Sequence, residues 1–317
     1  MNGYLIYEGK IPNVGLHHCF VNLRAIVTEA VYLNRIPVIR PLRMSPKHNF
    51  GVKLTSQWSK YWDLYQTKVY FRNNGEFELM QKPFLFILEE DFKHLKFRED
   101  QVYKINHEQK ITKVENNKYD LIVRSVSGIK FEWWWFAVPD NIKENVRIKF
   151  KVSDDVARIS KNIIKRLGWY ATVHVRRGDR LKFNNKLKKY TSPQHILNKL
   201  KEIVPLKSNV YILTDERDRN YFDCLREHYK IYQYFDFDEL NETVSGQQPD
   251  NNFLFLIESC IFKNAVKKIE TFKSRSLFSM TGEVSTLSEY TAGDYPIIIR
   301  LISYLGMKMS LIWRLLP

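Results

Sequence analysis

Trp169-Tyr-Ala-Thr-Val-His-Val-Arg-Arg-Gly-Asp-Arg180 is a short apolar run that stops abruptly in cations. Buried parallel strands read as short β-branched runs, and ligands of α/β folds collect at strand C-termini. Trp169 to Val175 supplies the strand and Gly178 the turn, with Arg176 and Arg177 at the strand end. Two adjacent guanidiniums have little structural use there. As fork-shaped, permanently charged donors they suit a diphosphate. His174 shares a strand face with Arg176 because side chains alternate. It is either a satisfied core histidine or a group that meets ligand.

The surrounding sequence repeats the pattern. Asp154 to Arg166 reads as an amphipathic helix capped by Ser153, and Pro193 to Val204 as a helix with Ser192 before its first-turn proline. Asn209 to Thr214 is a strand running into Asp215, Arg217 to Tyr229 a helix, Ile231 to Phe235 a strand and Asn251 to Phe262 a helix. Val266 to Phe272 reads as a strand, and Ser276 begins another helix. Upstream, strand Tyr4 to Glu8, loop Gly9 to Gly15, helix His17 to Asn34 and strand Ile36 to Arg40 form a βαβ unit. Its loop lies on the ligand-binding edge of a sheet. Residues 66–147 read as strands and loops of weak periodicity, with no assigned topology. Alternation of this kind predicts α/β domains with doubly wound parallel sheets. The 317 residues leave room for two domains of about 150 each. The boundaries expected are 1–150, 151–293 and a terminal helix over 294–317.

Net charge is +15, which favours an anionic partner: a nucleotide, a nucleic acid or a membrane surface. Nucleic acid ranks last, because no RRM, OB or helix-turn-helix signature is present. Trp133-Trp-Trp135 reads as core or as a platform for an acceptor sugar. Cys19, Cys224 and Cys260 are widely spaced and form neither a disulfide framework nor a zinc signature, so a reducing compartment is expected. The N-terminus lacks signal-peptide features, and no run reaches the roughly 20 apolar residues that cross a bilayer. Residues 295–317 are apolar, carry Arg300, Lys308 and Arg314, and contain no acid. That segment is expected either to pack on the protein or to lie in an anionic membrane interface. The expected location is cytoplasmic, with that segment the one candidate for peripheral membrane contact.

Three strand ends carry the candidate chemistry: His174, Arg176, Arg177 and Asp179; Thr214 and Asp215; Ser274, Arg275 and Ser276. In a parallel sheet they share one edge and can line one crevice, as a nucleotide diphosphate requires. Asp179 either orients an arginine or reads ligand. Asp215 either caps a following helix or reads a ribose or base. The serines are caps that face ligand if the crevice reaches them.

His174-Val-Arg-Arg-Gly-Asp179 resembles the His-x-Arg-Arg-x-Asp motif of GDP-fucose-dependent fucosyltransferases, the α1,2-, α1,6- and protein O-fucosyltransferase group. Gly15-Leu-His-His-Cys-Phe20, followed by Leu33-Asn-Arg-Ile-Pro-Val-Ile39, is similar to the group's N-terminal pattern. Trp58-Ser-Lys-Tyr-Trp-Asp-Leu64, Tyr211-Ile-Leu-Thr-Asp215 and Phe272-Lys-Ser-Arg-Ser276 resemble further elements. The resemblance implies a GT-B fold, two Rossmann-like domains facing a central cleft, and an inverting, metal-independent transferase with no cofactor beyond its donor GDP-fucose. It implies a glycan or protein acceptor, and Arg176 as the group that holds the β-phosphate and stabilises the departing GDP. His174, Asp250, Ser274 and Ser276 would contact guanosine or phosphate, beside Arg177, Asp179, Asp215 and Arg275. Two departures matter. The loop Arg180 to Tyr190 lacks the carboxylate found there in α1,6-type enzymes, and His17-His18 replaces an Asn-Asn pair. Asn13, Gly15, His17 and His18 form the expected acceptor-side loop, and a base is sought among His17, His18 and Asp63, with Glu8 and Glu29 as further carboxylates. Another nucleotide sugar on the same fold is the alternative.

Overall fold

The structure, a computed structural model, describes residues 3–9, 16–127, 134–178, 181, 187–271 and 284–286; for residues 17, 18, 48, 135, 136 and 284–286 it describes the backbone alone. The chain divides into two compact units. One comprises Met1–Asn162 and Phe237–Ile257, the other Ile163–Asp236 and the chain from Glu258.

In the first unit, β1 (Tyr4–Glu8) buries Leu5 and Tyr7 on one side by strict alternation, then α1 (Leu16–Tyr32) turns its apolar stripe inward. The helix stops at Asn34, whose φ of 55° is the left-handed cap that asparagine tolerates, with the Arg35 N–H donating to the Ala30 carbonyl at 2.8 Å. The chain then passes through β2 (Ile36–Ile39), a small ribbon of β3 (Leu42–Met44) and β4 (Leu54–Ser56), and β5 (Trp62–Asn73) with β6 (Glu76–Leu79). Next come β7 (Ile87–Leu88), α2 (Glu89–Phe92), β8 (Val102–Ile105), α3 (Lys113–Lys118) and β9 (Leu121–Ser125). The order β7-β2-β1-β9-β8 is parallel at every pairing. After α4 (Asp140–Asn145), β10 (Val146–Val152) pairs antiparallel with β5 to build a separate sheet, β10-β5-β6.

The second unit follows α5 (Asp154–Leu167), where Gly168 at φ 62° makes the left-handed exit that feeds the next strand. Its elements are β11 (Tyr170–Val175), α6 (Leu187–Tyr190), α7 (Pro193–Ile203), β12 (Asn209–Thr214) and β13 (Lys230–Tyr232). The chain next forms α8 (Asp238–Ser245) and α9 (Asn251–Asn264), then β14 (Lys267–Glu270) and β15 (Val284–Thr286). The order β13-β12-β11-β14-β15 is parallel throughout. Ala171, Val173 and Val175 bury against Ile196 and Leu200 of α7, while the Tyr170 hydroxyl on the opposite face donates to the Ile261 carbonyl of α9 at 2.8 Å. Both units are therefore α/β with parallel sheets, as expected.

Two expectations are corrected. Arg217 to Tyr229 is turns around a 3-10 segment, Asp223–Leu225, and not a helix. The backbone closes consecutive i→i+3 turns in place of the i→i+4 ladder: the Tyr221 N–H donates to the Asp218 carbonyl at 3.2 Å, Asp223 to Asn220 at 3.0 Å and Leu225 to Phe222 at 3.0 Å. The strand expected over Ile231 to Phe235 ends at Tyr232, where Asp236 accepts from the Gln233 N–H at 2.7 Å and bends the chain. Ser276 and the helix expected from it lie outside the described residues.

Candidate functional site

Chain order in the second sheet reverses between β11 and β14, so the crevice at their C-terminal ends is a topological switch point. His174 stands beside Glu270 and Val175 beside Thr214 in the register, which brings two of the predicted strand ends to this edge.

The two arginines are placed differently. Arg177 is held on every side: its Nε donates to Glu216 Oε2 at 2.7 Å, its Nη1 to Thr191 Oγ1 at 2.9 Å, and its Cζ lies 4.2 Å from the Tyr221 ring centroid. Burial pushes the Glu216 carboxyl up, but bonds from the Asp218 N–H, the Arg177 side chain and the Arg217 N–H outweigh it and hold the group below its ordinary value. The Arg177 backbone N–H donates to Asp215 Oδ1 at 2.6 Å. A Cβ on Gly178 would lie 2.7 Å from Asp215 Oδ2, so any larger residue there would displace the Asp215 carboxylate. Asp215 therefore shapes the Arg177–Gly178 turn and does not cap a helix. Arg176, half-buried, directly follows Val175, the last residue of β11, and lies two residues beyond His174.

His174 is also half-buried. Its Nδ1 is 3.7 Å from Glu270 Oε1, an ion pair when the imidazole is protonated, and its ring packs edge-on to Phe262 of α9 at 6.3 Å. Its carbonyl accepts from both the N–H and the hydroxyl of Thr271, at 3.1 Å each, which ties the end of β14 to β11. On the same sheet face the Tyr211 hydroxyl donates to Glu258 Oε1 of α9 at 2.9 Å. Burial pushes the Glu258 carboxyl up to about 8, against the opposing pull of that hydrogen bond. Sequence reading missed Glu216, Thr191, Glu258 and Glu270; only Glu216, directly after a strand end, was visible by position.

The first unit's own switch point, between β1 and β9, is filled. Tyr7 and Arg124 are register neighbours, and both bond the buried Glu29: the tyrosine hydroxyl donates at 2.6 Å, and the guanidinium is bidentate. Arg124 Nη1 further donates to the carbonyls of Asn106 and Gln109 at 2.9 Å each. Glu29 is thus sequestered from any role as a base. Asp63 on β5 accepts from the Gln66 N–H at 3.2 Å and faces Lys151 at 3.7 Å. Asp250, 2% exposed, caps α9 through the Phe253 N–H at 2.9 Å and accepts from the Tyr61 hydroxyl at 2.8 Å, with Lys60 Nζ at 2.5 Å. That joins two stretches quoted above, Trp58–Leu64 and Asp250, within one unit. A small pocket beyond β2 is lined by Cys19, Asn22, Arg40, Arg43, Trp58 and Trp134 among others. His17 and His18 occupy the first turn of α1. Asn13, Gly15, Asp179, Ser274, Arg275 and Ser276 lie outside the described residues. Among the described residues no three His, Cys, Asp or Glu side chains converge as a metal site.

No family model matches this chain, and no curated protein matches it. Among solved structures it is similar to POFUT1 in complex with GDP-fucose, at 9% identity over 85% of this chain and 90% of that one, with a TM-score of 0.47. POFUT1 in complex with GDP gives 9% identity over 85% and 91%, with a TM-score of 0.48. NodZ alpha-1,6-fucosyltransferase soaked with GDP-fucose gives 12% identity over 85% and 88%, with a TM-score of 0.41.

Proposed function

We propose that this chain is a glycosyltransferase that moves fucose from GDP-fucose to a glycan or protein hydroxyl, inverting at the anomeric carbon and using no metal. The observation that carries the reading is where the His174-Val-Arg-Arg run falls: at the β11/β14 switch point, with Arg177 built into the turn and Arg176 directly after the strand end. The first unit's switch point holds a buried ion pair, which favours the second unit as the donor domain and the first as the acceptor side of the proposed GT-B fold.

In this mechanism the acceptor oxygen attacks the anomeric carbon as its bond to the β-phosphate oxygen breaks. Arg176 stabilises the charge growing on the diphosphate, the role of a preorganised donor aimed at a leaving group. Arg177 keeps the turn in shape through Glu216, Thr191 and Tyr221. The acceptor proton leaves to His17, His18 or Asp63 on the first unit, or to water after the sugar ionises. His174, Asp179, Asp215, Asp250 and Ser274 to Ser276 complete the proposed donor set. A cytoplasmic location and peripheral membrane contact through 295–317 belong to the same reading; flotation of the chain with and without 295–317 tests the contact.

The direct test is GDP-fucose turnover and the thermal shift with GDP, UDP and ADP, for wild type, Arg176→Ala and Arg176→Lys. Specific ligands stabilise the folded state by mass action. A GDP-selective shift lost in both variants is expected. Undiminished binding and turnover in both would refute the arginine's role, and a UDP-selective shift would move the reading to a different donor.

A further inference from the structure

The antiparallel sheet β10-β5-β6 turns one face inward and leaves the other to solvent, and that outer face has an unusual composition. Lys149 stands directly opposite Lys68 and Arg147 opposite Tyr70, while Arg72 faces Phe77 and Tyr70 faces Leu79. Lys68, Arg72, Arg147 and Lys149 are all exposed, and among the described residues none of them has a carboxylate partner. At the far end of the sheet, Lys151 is paired with Asp63 at 3.7 Å and Asp154 at 3.2 Å. Like charges directly across a ladder destabilise it, and Lys68–Lys149 is such a pair. Arg147 also lies close enough to Arg24 of α1 that its charge, after burial, depresses the ionisation of that guanidinium. No carboxylate on the described part of the sheet offsets these four cations, so their charge is left to the outside.

We propose that this sheet face docks the protein on an anionic lipid surface. The face is three strands wide, and its cations sit on amphipathic bodies. The Arg147 guanidinium carbon lies 3.7 Å from the Phe77 ring centroid and Lys149 Nζ 5.2 Å from that of Tyr70. A guanidinium stacked flat on a ring keeps its N–H groups in plane and turned outward, the geometry that takes a phosphate. Base stacking needs uncovered rings, and here the cations cover them, which disfavours single-stranded nucleic acid. Leu79, 44% exposed, lies on the same face, and Tyr65, 80% exposed, lies in the same strand. Side chains of this kind fill the headgroup boundary while cations reach phosphate.

The test is co-sedimentation of the full chain with phosphatidylcholine vesicles, with and without phosphatidylglycerol, at low and high salt. Wild type should bind the anionic vesicles selectively and release them in salt. Lys68→Gln/Lys149→Gln should weaken that binding about thirtyfold, from the usual contribution of each basic residue near such a surface. Lys68→Arg/Lys149→Arg should restore it. Thermal midpoints and GDP-fucose turnover in solution should match wild type, which keeps this proposal independent of the enzymatic one. Equal binding to neutral and anionic vesicles would overturn it, as would vesicle binding unchanged by the glutamine variant. A single-stranded RNA oligonucleotide whose binding is lost in that variant while vesicle binding persists would reassign the face to nucleic acid.

Discussion

The buried carboxyl of Glu258 makes the second unit's stability depend on pH in a way that one substitution should abolish. Glu258 sits on α9, accepts from Tyr211 at 2.9 Å, and is raised from an ordinary 4.5 to about 8 by burial. Because its folded value is raised, the folded state holds this proton through a window in which the unfolded chain has released it. The folded protein therefore binds more protons than the unfolded one between about 4.5 and about 8, and stability falls as pH rises through that window. Below it both states are protonated, and above it the full cost is present. Each pH unit removes about 1.4 kcal/mol, so the whole window is worth on the order of 5 kcal/mol. Glu258→Gln keeps an acceptor for the Tyr211 hydroxyl and titrates nowhere in the range. Urea unfolding of both proteins at several pH values reads the difference directly. Near pH 5 the two should be similar, and by pH 9 the glutamine variant should be the more stable by several kcal/mol. Parallel pH profiles for wild type and variant would refute the reasoning, because they would mean that Glu258 ionises in place at no cost.

Gly178→Ala should displace the Asp215 carboxylate and weaken its bond from the Arg177 N–H, a cost of about 1 kcal/mol. Adding Asp215→Ala should recover part of it, read as coupling in a double-mutant cycle of denaturation midpoints. Arg177→Lys keeps the charge but loses the fork and the stacking on Tyr221, so its thermal midpoint should fall; an unchanged midpoint would remove Arg177 from the frame of the turn. Arg124→Met leaves Glu29 charged and buried, and should lose about 3–5 kcal/mol in urea unfolding, most of it regained by adding Glu29→Leu.

The parallel framework was legible because its strands obey simple rules. Tyr4 to Glu8 and Asn209 to Thr214 match the observed strands end for end, and Ser192-Pro193 marks a helix start that the structure keeps, with Ser192 Oγ accepting from the His195 N–H at 3.3 Å. The antiparallel sheet was not legible. Its register with β10 shifts between Lys149 and Lys151, so the alternation of β5 breaks in mid-strand and no single period describes it. The helix wrongly expected over Arg217 to Tyr229 shows the opposite failure. Tyr221, Phe222, Leu225 and Tyr229 fall at helical spacing, yet the backbone there closes i→i+3 turns, with the Tyr221 N–H on the Asp218 carbonyl and the Leu225 N–H on that of Phe222. Periodicity records which side chains are buried. It does not record which hydrogen bonds the backbone prefers.

The site divides along the same line. That the arginine pair ends a strand followed from composition, but that this strand is the centre of its sheet depends on pairing order, which one sequence does not carry. Pairing order is also what separates the two arginines. Arg177 points across the turn toward β12, whose end supplies Asp215 and Glu216 as anchors, and so becomes part of the frame. His174 neighbours β14, whose end supplies Glu270 and Thr271, and so sits at the crevice. In the proposed mechanism two residues chemically alike and adjacent in sequence thus take different work because the strand's two neighbours differ. A diphosphate clamp that used both guanidiniums would need Glu216 to release Arg177. Glu216→Gln should therefore disturb the turn before it improves any ligand contact, and lower the GDP thermal shift together with the apo midpoint. A larger GDP shift in that variant would show that Arg177 belongs to the ligand after all.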